Sequence, residues 1–226
     1  MEKRYQRNMN LMTQDEITAL KEKRICVVGC GGLGGYIVEM LSRLGVGNIT
    51  AIDGDVFDET NLNRQLLSEE ALIGSSKAEA AKSRIQKVNS EVEVVAKTVF
   101  LREDNAEALI AGHDVVVDAL DNISTRRILE KACSACDIPL IHGAIAGWYG
   151  QVTTIMPGSG VFSKLYPETA EKGIETELGN PSFTPALVAS IQVSETLKLL
   201  IEKGEPLVGR LLTLNLLDHE YQIFEF

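Results

Sequence analysis

Short apolar segments alternate with amphipathic segments along most of the chain. Four intervening segments, within residues 36–47, 75–89, 103–111 and 122–136, place apolar residues at helical spacing. This alternation predicts a doubly wound, Rossmann-like α/β fold with a mainly parallel sheet. The apolar segments that we assign to its strands are RICVVG, NITAID, EVEVVAKTV, HDVVVDAL and IPLIHGAI.

The ends of the chain depart from this alternation. Residues 1–10 predict a surface arm, and Thr13 with Glu16 forms a capping-box pattern at the start of a helix over residues 13–23. Residues 150–158 alternate like an exposed strand. Residues 184–204 predict a long helix, and residues 210–226 predict two strands with Asp218 near the turn.

These elements predict a single domain over residues 1–226. Four glycines, three prolines and several charges between the exposed strand and the long helix predict a mobile crossover loop. The predicted parts are an N-terminal arm and helix (1–23), a nucleotide-binding core (24–156), the crossover loop (157–183), and a C-terminal helix with an antiparallel extension (184–226).

A glycine-rich turn, CVVGCGGLGG, joins the first predicted strand to the first helix of the core. Gly29, Gly31 and Gly34 satisfy the GxGxxG spacing, in which glycine allows a tight turn and close approach of phosphate to backbone N–H groups. Asp53 ends the next strand, where a carboxylate can accept hydrogen bonds from ribose hydroxyls. This context predicts a nucleotide site and leaves NAD and ATP open.

Polar residues farther along the chain favour ATP. NLNRQ supplies Arg64, Lys77 begins a helix, and Asp121 ends the strand DALDN. In an open α/β sheet all of these face the crevice at the carboxyl ends of the strands. Arg64 and Lys77 would offset the charge of a triphosphate, and Asp121 could hold magnesium. Each residue alone is explained as well by a surface salt bridge or a helix cap.

Several motifs in this order, GCGGLGG, AIDGD, NLNRQ, GSSK and DALDN, resemble the adenylating domain of the ThiF/MoeB/HesA family. These proteins are bacterial relatives of the ubiquitin-activating enzymes. The N-terminal RYQRN is similar to the RYxRQ arm of that family. The resemblance runs from residue 4 to about residue 156 and continues through residues 184–203.

The resemblance implies ATP- and magnesium-dependent adenylation of the C-terminal glycine of a small ubiquitin-like sulfur-carrier protein ending in Gly-Gly, with release of pyrophosphate. It implies a homodimer in which Arg7 of one chain reaches the site of the other. Arg64, Lys77, Asp121 and Arg7 would be catalytic, and Asp121 would hold magnesium. The nucleotide would contact Gly29, Gly31, Gly32, Gly34, Asp53, Asp55, Asn61, Arg64, Gln65, Lys77, Asp121 and Asn122.

The four cysteines distinguish this chain within the family. Many relatives hold zinc with two CxxC pairs, whereas here the one pair, Cys133 and Cys136, lies in a predicted helix, so we predict no zinc. Residues 157–183 contain no cysteine, which favours adenylation alone with a separate sulfur donor. Cys30, inside the glycine turn, is predicted to be a small residue lining the site.

Composition narrows the function further. The net charge of −10 argues against nucleic acid as the main partner. No apolar run is long enough for a membrane helix and no signal peptide is recognised, so we expect a cytoplasmic protein and no membrane partner.

Two alternatives to an adenylating enzyme remain open, an NAD-dependent oxidoreductase and a non-catalytic scaffold of the same fold. The carrier's pathway (thiamine, molybdenum or tungsten cofactor, or cysteine) stays open.

Overall fold

A computed structural model describes residues 3–170, 173 and 175–226, except for the side chains of residues 175 and 176. Eight strands form one sheet in the order β3-β2-β1-β4-β5-β6-β7-β8. The first five strands in the chain pair in parallel and the last three add in antiparallel fashion, as the sequence predicts. The strands are β1 (Arg24–Val28), β2 (Asn48–Ile52), β3 (Glu93–Lys97), β4 (Val115–Asp118), β5 (Leu140–Ala146), β6 (Tyr149–Ile155), β7 (Arg210–Asn215) and β8 (Glu220–Glu225).

Helices cover both faces of the parallel part of the sheet. Two separate apolar clusters result. None of the helices in the described part of the chain is both long and apolar enough to span a bilayer. The helices are α1 (Gln14–Leu20), α2 (Gly34–Leu44), α3 (Lys77–Val88), α4 (Ala106–Ile110), α5 (Ile123–Ala135), α6 (Val161–Leu165), α7 (Glu175–Leu178) and α8 (Phe183–Leu200).

Local sequence signals set several of these boundaries correctly. The capping box at α1 is confirmed, since the Thr13 hydroxyl accepts the Glu16 N–H and the Glu16 carboxylate accepts the Thr13 N–H. The C-terminal hairpin is also confirmed, with Asp218 in its turn accepting a hydrogen bond from the Asn215 amide at 2.9 Å. Helix α8 ends at Leu200 rather than at the predicted Gly204.

The N-terminal arm lies mostly at the surface, as predicted, but one of its residues anchors it to the core. Residues Lys3–Asn8 form a 3-10 helix in which Tyr5 is buried. The Asn89 amide donates to the Tyr5 hydroxyl at 2.8 Å and to the Ser42 carbonyl. The aromatic ring fills the space next to Gly45, where no side chain competes for it. Residues 1 and 2 of the predicted arm lie outside the described residues.

Two further predictions are corrected by the packing. Strand β6 is buried along most of its length because β7 and β8 extend the sheet beyond it and α8 packs on one face. The crossover segment, predicted as a mobile loop, contains α6 and α7, and Phe162 is fully buried in the core. Residues 171, 172 and 174 of this segment lie outside the described residues.

One ion cluster joins α2 to α3. The buried Glu39 carboxylate of α2 accepts hydrogen bonds from Arg43 at 2.6 Å and from Arg84 of α3 at 2.9 Å. Burial alone would raise the pKa of Glu39. The hydrogen bonds from Arg84 and Arg43 outweigh it and hold the pKa below its ordinary value of 4.5.

We expect Glu39→Gln to lower the free energy of unfolding by about 2 kcal/mol at pH 7, because charge-assisted bonds are replaced by neutral ones. The depressed pKa in the folded state means that this stability is present above pH 4.5 and is lost as the pH falls through the folded pKa. Urea unfolding at a series of pH values measures it. The exposed Glu103→Gln is the control, and a wild-type–variant difference that persists below the folded pKa would contradict the linkage.

Candidate active site

A cavity of about 610 Å³ lies at the carboxyl ends of the parallel strands. The strand order reverses between β1 and β4, and loops leaving both strands form the cavity floor. Such a switch point is where open α/β sheets bind ligands. Its position agrees with the crevice predicted from the sequence.

The glycine turn after β1 is dictated by close backbone packing. Gly29 has a φ of +98°, and a Cβ on it would lie 2.4 Å from the Ala119 carbonyl oxygen. A Cβ on Gly34 would lie 1.8 Å from the Gly29 carbonyl oxygen. The turn can therefore hold β1, β4 and α2 together only with glycine at these two positions.

Asp53 connects the glycine turn to the loop after β2. Its carboxylate accepts the Cys30 N–H at 2.7 Å and the Asp55 N–H at 2.8 Å. Burial raises the pKa of Asp53, and the two backbone hydrogen bonds limit that rise. Because the carboxylate is fixed at the cavity wall, its remaining acceptor positions are oriented before any ligand arrives.

Basic side chains exceed acidic ones in the cavity lining. Lys77 is buried and its Nζ lies 3.3 Å from the Asp55 carboxylate. Arg64 is held through Nη1, which donates to the Thr60 carbonyl at 3.0 Å and to the Asn63 side-chain oxygen at 2.9 Å. Four basic residues (Arg64, Lys77, Arg102 and Arg126) and three acidic residues (Asp53, Asp55 and Asp121) line the cavity.

The lining also fits a polar ligand such as ATP. Gln65 and Asn180 line the cavity, and each has a buried side-chain oxygen with no hydrogen-bond partner in the described part of the chain. Buried polar atoms of this kind are normally satisfied, so they indicate a ligand or ordered water. No group of three or more His, Cys, Asp or Glu side chains among the described residues is arranged to hold a metal ion by itself.

Most of the predicted site residues meet in this cavity. Gly34 and Asn61 do not line it: Gly34 closes the turn, and the buried Asn61 accepts the Asp58 N–H and holds the loop that carries Gln65. Arg7 is exposed and does not line the cavity of its own chain. The predicted residues that line it are Gly29, Gly31, Gly32, Asp53, Asp55, Arg64, Gln65, Lys77, Asp121 and Asn122.

Sequence reasoning missed the contribution of the β3 loop. Val99, Phe100, Leu101 and Arg102 follow β3 and line the cavity, as does Arg126 of α5. Phe100 is half-exposed and its ring lies against Gly54, where a Cβ would come within 2.6 Å of it. The rule that ligands lie at the carboxyl ends of parallel strands, applied to β3 as well, would have identified these four residues.

The cysteines lie away from the cavity surface. Cys30 is fully buried in the apolar core, so the prediction that it lines the site is wrong. Its side chain points inward while its N–H reaches Asp53, and burial raises the pKa of its thiol well above the ordinary value. Cys133 is buried on α5 and Cys136 is partly buried at its end, in line with two structural thiols.

A second cavity of about 410 Å³ adjoins the first. Arg126 and Ile145 line both. The second cavity lies over the antiparallel strands and is bounded by the crossover segment. Its other lining residues are Ala144, Ala146, Tyr149, Gly150, Gln151, Tyr166, Gly173, Thr213, Leu214, Asn215, Glu220 and Gln222.

The chain is similar in sequence and in fold to several known proteins. The chain is 37% identical over 206 residues to the SAMP-activating enzyme E1 of Haloferax volcanii, covering 90% of this chain and 76% of that protein. It is 35% identical to the molybdopterin-synthase adenylyltransferase of Salmonella typhimurium, covering 85% and 79% respectively. The structure of E. coli MccB with ATP shares the fold, with a TM-score of 0.86, 20% identity, and coverage of 100% of this chain and 71% of that one.

The sequence profile of the ThiF family matches residues 5–226. The match includes the glycine turn, the loops of the first cavity and the antiparallel extension. The chain belongs to the ThiF family.

Proposed function

We propose that this protein is an adenylyltransferase that activates the C-terminal glycine of a small ubiquitin-like sulfur-carrier protein. Membership of the ThiF family supports this activity, as do the names of the relatives, a SAMP-activating enzyme and a molybdopterin-synthase adenylyltransferase. The observation that carries the proposal is the cavity at the switch point, where a glycine turn and a fixed carboxylate adjoin an excess of basic side chains.

The reaction needs positioning more than proton transfer. A carboxylate oxygen of the carrier attacks the α-phosphorus of ATP, the bond from that phosphorus to the bridging oxygen breaks, and pyrophosphate leaves with the electron pair. A carboxylate is already ionised at neutral pH and needs no base. Arg64 and Lys77, which line the cavity, would stabilise charge on the leaving pyrophosphate, and Asp53 would accept hydrogen bonds from the ribose hydroxyls.

The site is suited to a magnesium ion whose ligands would come from both the protein and the nucleotide. Asp121 is exposed at the cavity wall, and only one of its carboxylate oxygens is engaged within the described residues, by the Asn122 amide. When bound, the ion neutralises phosphate charge. Asp121 would then supply one oxygen ligand, with phosphate oxygens and water as the others.

The second cavity is suited to an extended peptide end. Small residues of β5 and β6 (Ala144, Ala146 and Gly150) line it, and Arg126 borders both cavities. A carrier tail ending in Gly-Gly could pass through such a space, and bulkier residues would fit less well. Its terminal carboxylate would then approach the ATP site from the side of Arg126.

The decisive experiment is pyrophosphate exchange with purified protein, ATP, magnesium and a panel of ubiquitin-like carriers ending in Gly-Gly. We expect labelled pyrophosphate to enter ATP only when a carrier is present, and carriers that lack the last glycine to be inactive. Absence of exchange with every carrier, combined with tight binding of NAD, would overturn the proposal in favour of an oxidoreductase.

The proposed homodimer yields a separate prediction about Arg7. An arginine that does not line its own cavity and lies exposed on the anchored 3-10 helix is free to serve a partner's site. Arg7→Ala and Asp121→Ala should each be inactive, and mixing them should restore activity at the one intact site of each mixed dimer. Failure to complement, with mixed dimers verified by differential tagging, would count against action in trans.

A further inference from the structure

A buried chain of hydrogen bonds connects the sheet to the crossover segment, outside the residues assigned to adenylation. The His142 Nδ1 lies 2.7 Å from the Asp118 carboxylate, and its Nε2 lies 3.0 Å from the Tyr166 hydroxyl. The Gln151 amide donates to the same hydroxyl at 2.7 Å. Arg126 Nε lies 3.5 Å from the Asp118 oxygen that His142 contacts.

These contacts fix the proton positions. A carboxylate accepts, so His142 Nδ1 carries the proton that it donates to Asp118, and Nε2 is left to accept the Tyr166 O–H. Burial lowers the pKa of His142 despite the hydrogen bond that its Nδ1–H donates to Asp118, so the imidazole is neutral at neutral pH. The charged and titratable groups facing the ring are Asp118 of β4, Arg126 of α5 and Tyr166 after α6.

The chain ends at the wall of the second cavity. Asp118 and His142 are fully buried, whereas Tyr166 and Gln151 both line that cavity. The rings of Phe162 and Tyr166 pack together 5.0 Å apart, and both lie edge-on to His142. A fully buried carboxylate and imidazole are costly unless paired, so their pairing favours a single arrangement of the segment that they hold.

We propose that Asp118, His142 and Tyr166 are positioning residues that fix the crossover segment as a wall of the second cavity and thereby align the carrier tail with the ATP site. The inference rests on the proposed function for the identity of the tail. The Tyr166 hydroxyl is the link, because it joins the crossover segment to both β5 and β6. Arg126, which pairs with Asp118 and borders both cavities, connects this wall to the first cavity.

The first test uses Tyr166→Phe without any ligand. Loss of the hydroxyl should increase hydrogen–deuterium exchange of amides in residues 161–166 by about fivefold, the equivalent of one net hydrogen bond. Tyr149→Phe is the matched control, because Tyr149 lines the same cavity but its hydroxyl has no hydrogen-bond partner within the described part of the chain. Equal exchange in wild type and Tyr166→Phe would overturn the inference, whether or not any carrier reacts.

The second test is spectroscopic and concerns His142. The protein has three histidines, and loss of one signal in His142→Asn identifies the imidazole of interest in a long-range ¹H–¹⁵N spectrum. We expect the neutral Nδ1–H form at pH 7 in wild type and a higher pKa for His142 in Tyr166→Phe, which lacks the donor to Nε2. An Nε2–H form in wild type would contradict the proposed chain of hydrogen bonds from Tyr166 through His142 to Asp118.

The third test is kinetic and separates this inference from the proposed function. With the carrier of the panel that supports the fastest exchange, Tyr166→Phe should raise the KM for carrier about fivefold and leave the KM for ATP unchanged. Tyr221→Phe, which removes the hydroxyl of an exposed tyrosine outside both cavity linings, should change neither KM. If wild type exchanges but Tyr166→Phe keeps the wild-type KM for carrier, the positioning role fails and the adenylation activity stands. If the wild-type protein shows no exchange with any carrier of the panel, the proposed function fails, and with it the assignment of the tail.

Discussion

Asp121→Asn should reduce carrier-dependent pyrophosphate exchange by about 100-fold or more. The substitution keeps the size of the side chain and the contact with the Asn122 amide, and it removes only the charge at the cavity wall. If Asp121 holds magnesium beside the phosphates, the variant should also need more magnesium for half-maximal exchange. Initial rates measured over a range of magnesium concentrations give both quantities.

The control for this prediction is Asp104→Asn, which removes a carboxylate that is exposed and outside the cavity lining. Its exchange rate should equal that of wild type. Urea unfolding should give similar stabilities for Asp121→Asn and wild type, since Asp121 is exposed. An Asp121→Asn protein that exchanges at the wild-type rate would show that the role assigned to this residue is wrong.

The second large effect is expected from Gly29→Ala. The added Cβ would lie 2.4 Å from the Ala119 carbonyl oxygen, and the φ of +98° is strained for alanine. Because the obstacle is the backbone after β4, relief requires β1 and β4 to separate at the cavity floor. We expect a loss of about 3 kcal/mol or more in the free energy of unfolding, together with weaker ATP binding.

Gly112→Ala separates the two causes of this loss, which are the contact of the new Cβ with Ala119 and the strain of a positive φ. Gly112 also has a positive φ, +77°, but a Cβ there would meet nothing within 4 Å. We expect it to lose about 1 kcal/mol, the conformational cost alone. Urea unfolding of both variants measures the difference, and equal losses would mean that the contact with Ala119 does not constrain the turn.

Part of the first cavity could be predicted from the sequence. It depends on short motifs directly after strands, where local geometry and the direction of a parallel sheet place Asp53, Lys77 and Asp121 on one side. The loop after β3 follows the same rule, but Phe100 and Arg102 lie in no motif, and nothing in their immediate neighbours marks them.

Corrections to the sequence-based predictions fall where burial depends on distant segments. The alternation in β6 is that of an exposed strand, yet β7, β8 and α8 cover it from later in the chain. The N-terminal arm has little apolar content, yet Tyr5 is held by Asn89, which lies beyond α3. Periodicity reports the pattern within a segment and carries no information on what packs against it.

The sequence alone determined the doubly wound fold, the glycine turn and ten of the residues that line the first cavity. These follow from period, glycine conformation and strand direction, all of which are local. Only the tertiary structure decided that Cys30 faces the core, that the crossover segment is folded, and that Asp118, His142 and Tyr166 meet. Those three residues come from β4, β5 and the segment after α6. Their contact arises from pairing of neighbouring strands and from the burial of Phe162, both of which are long-range effects.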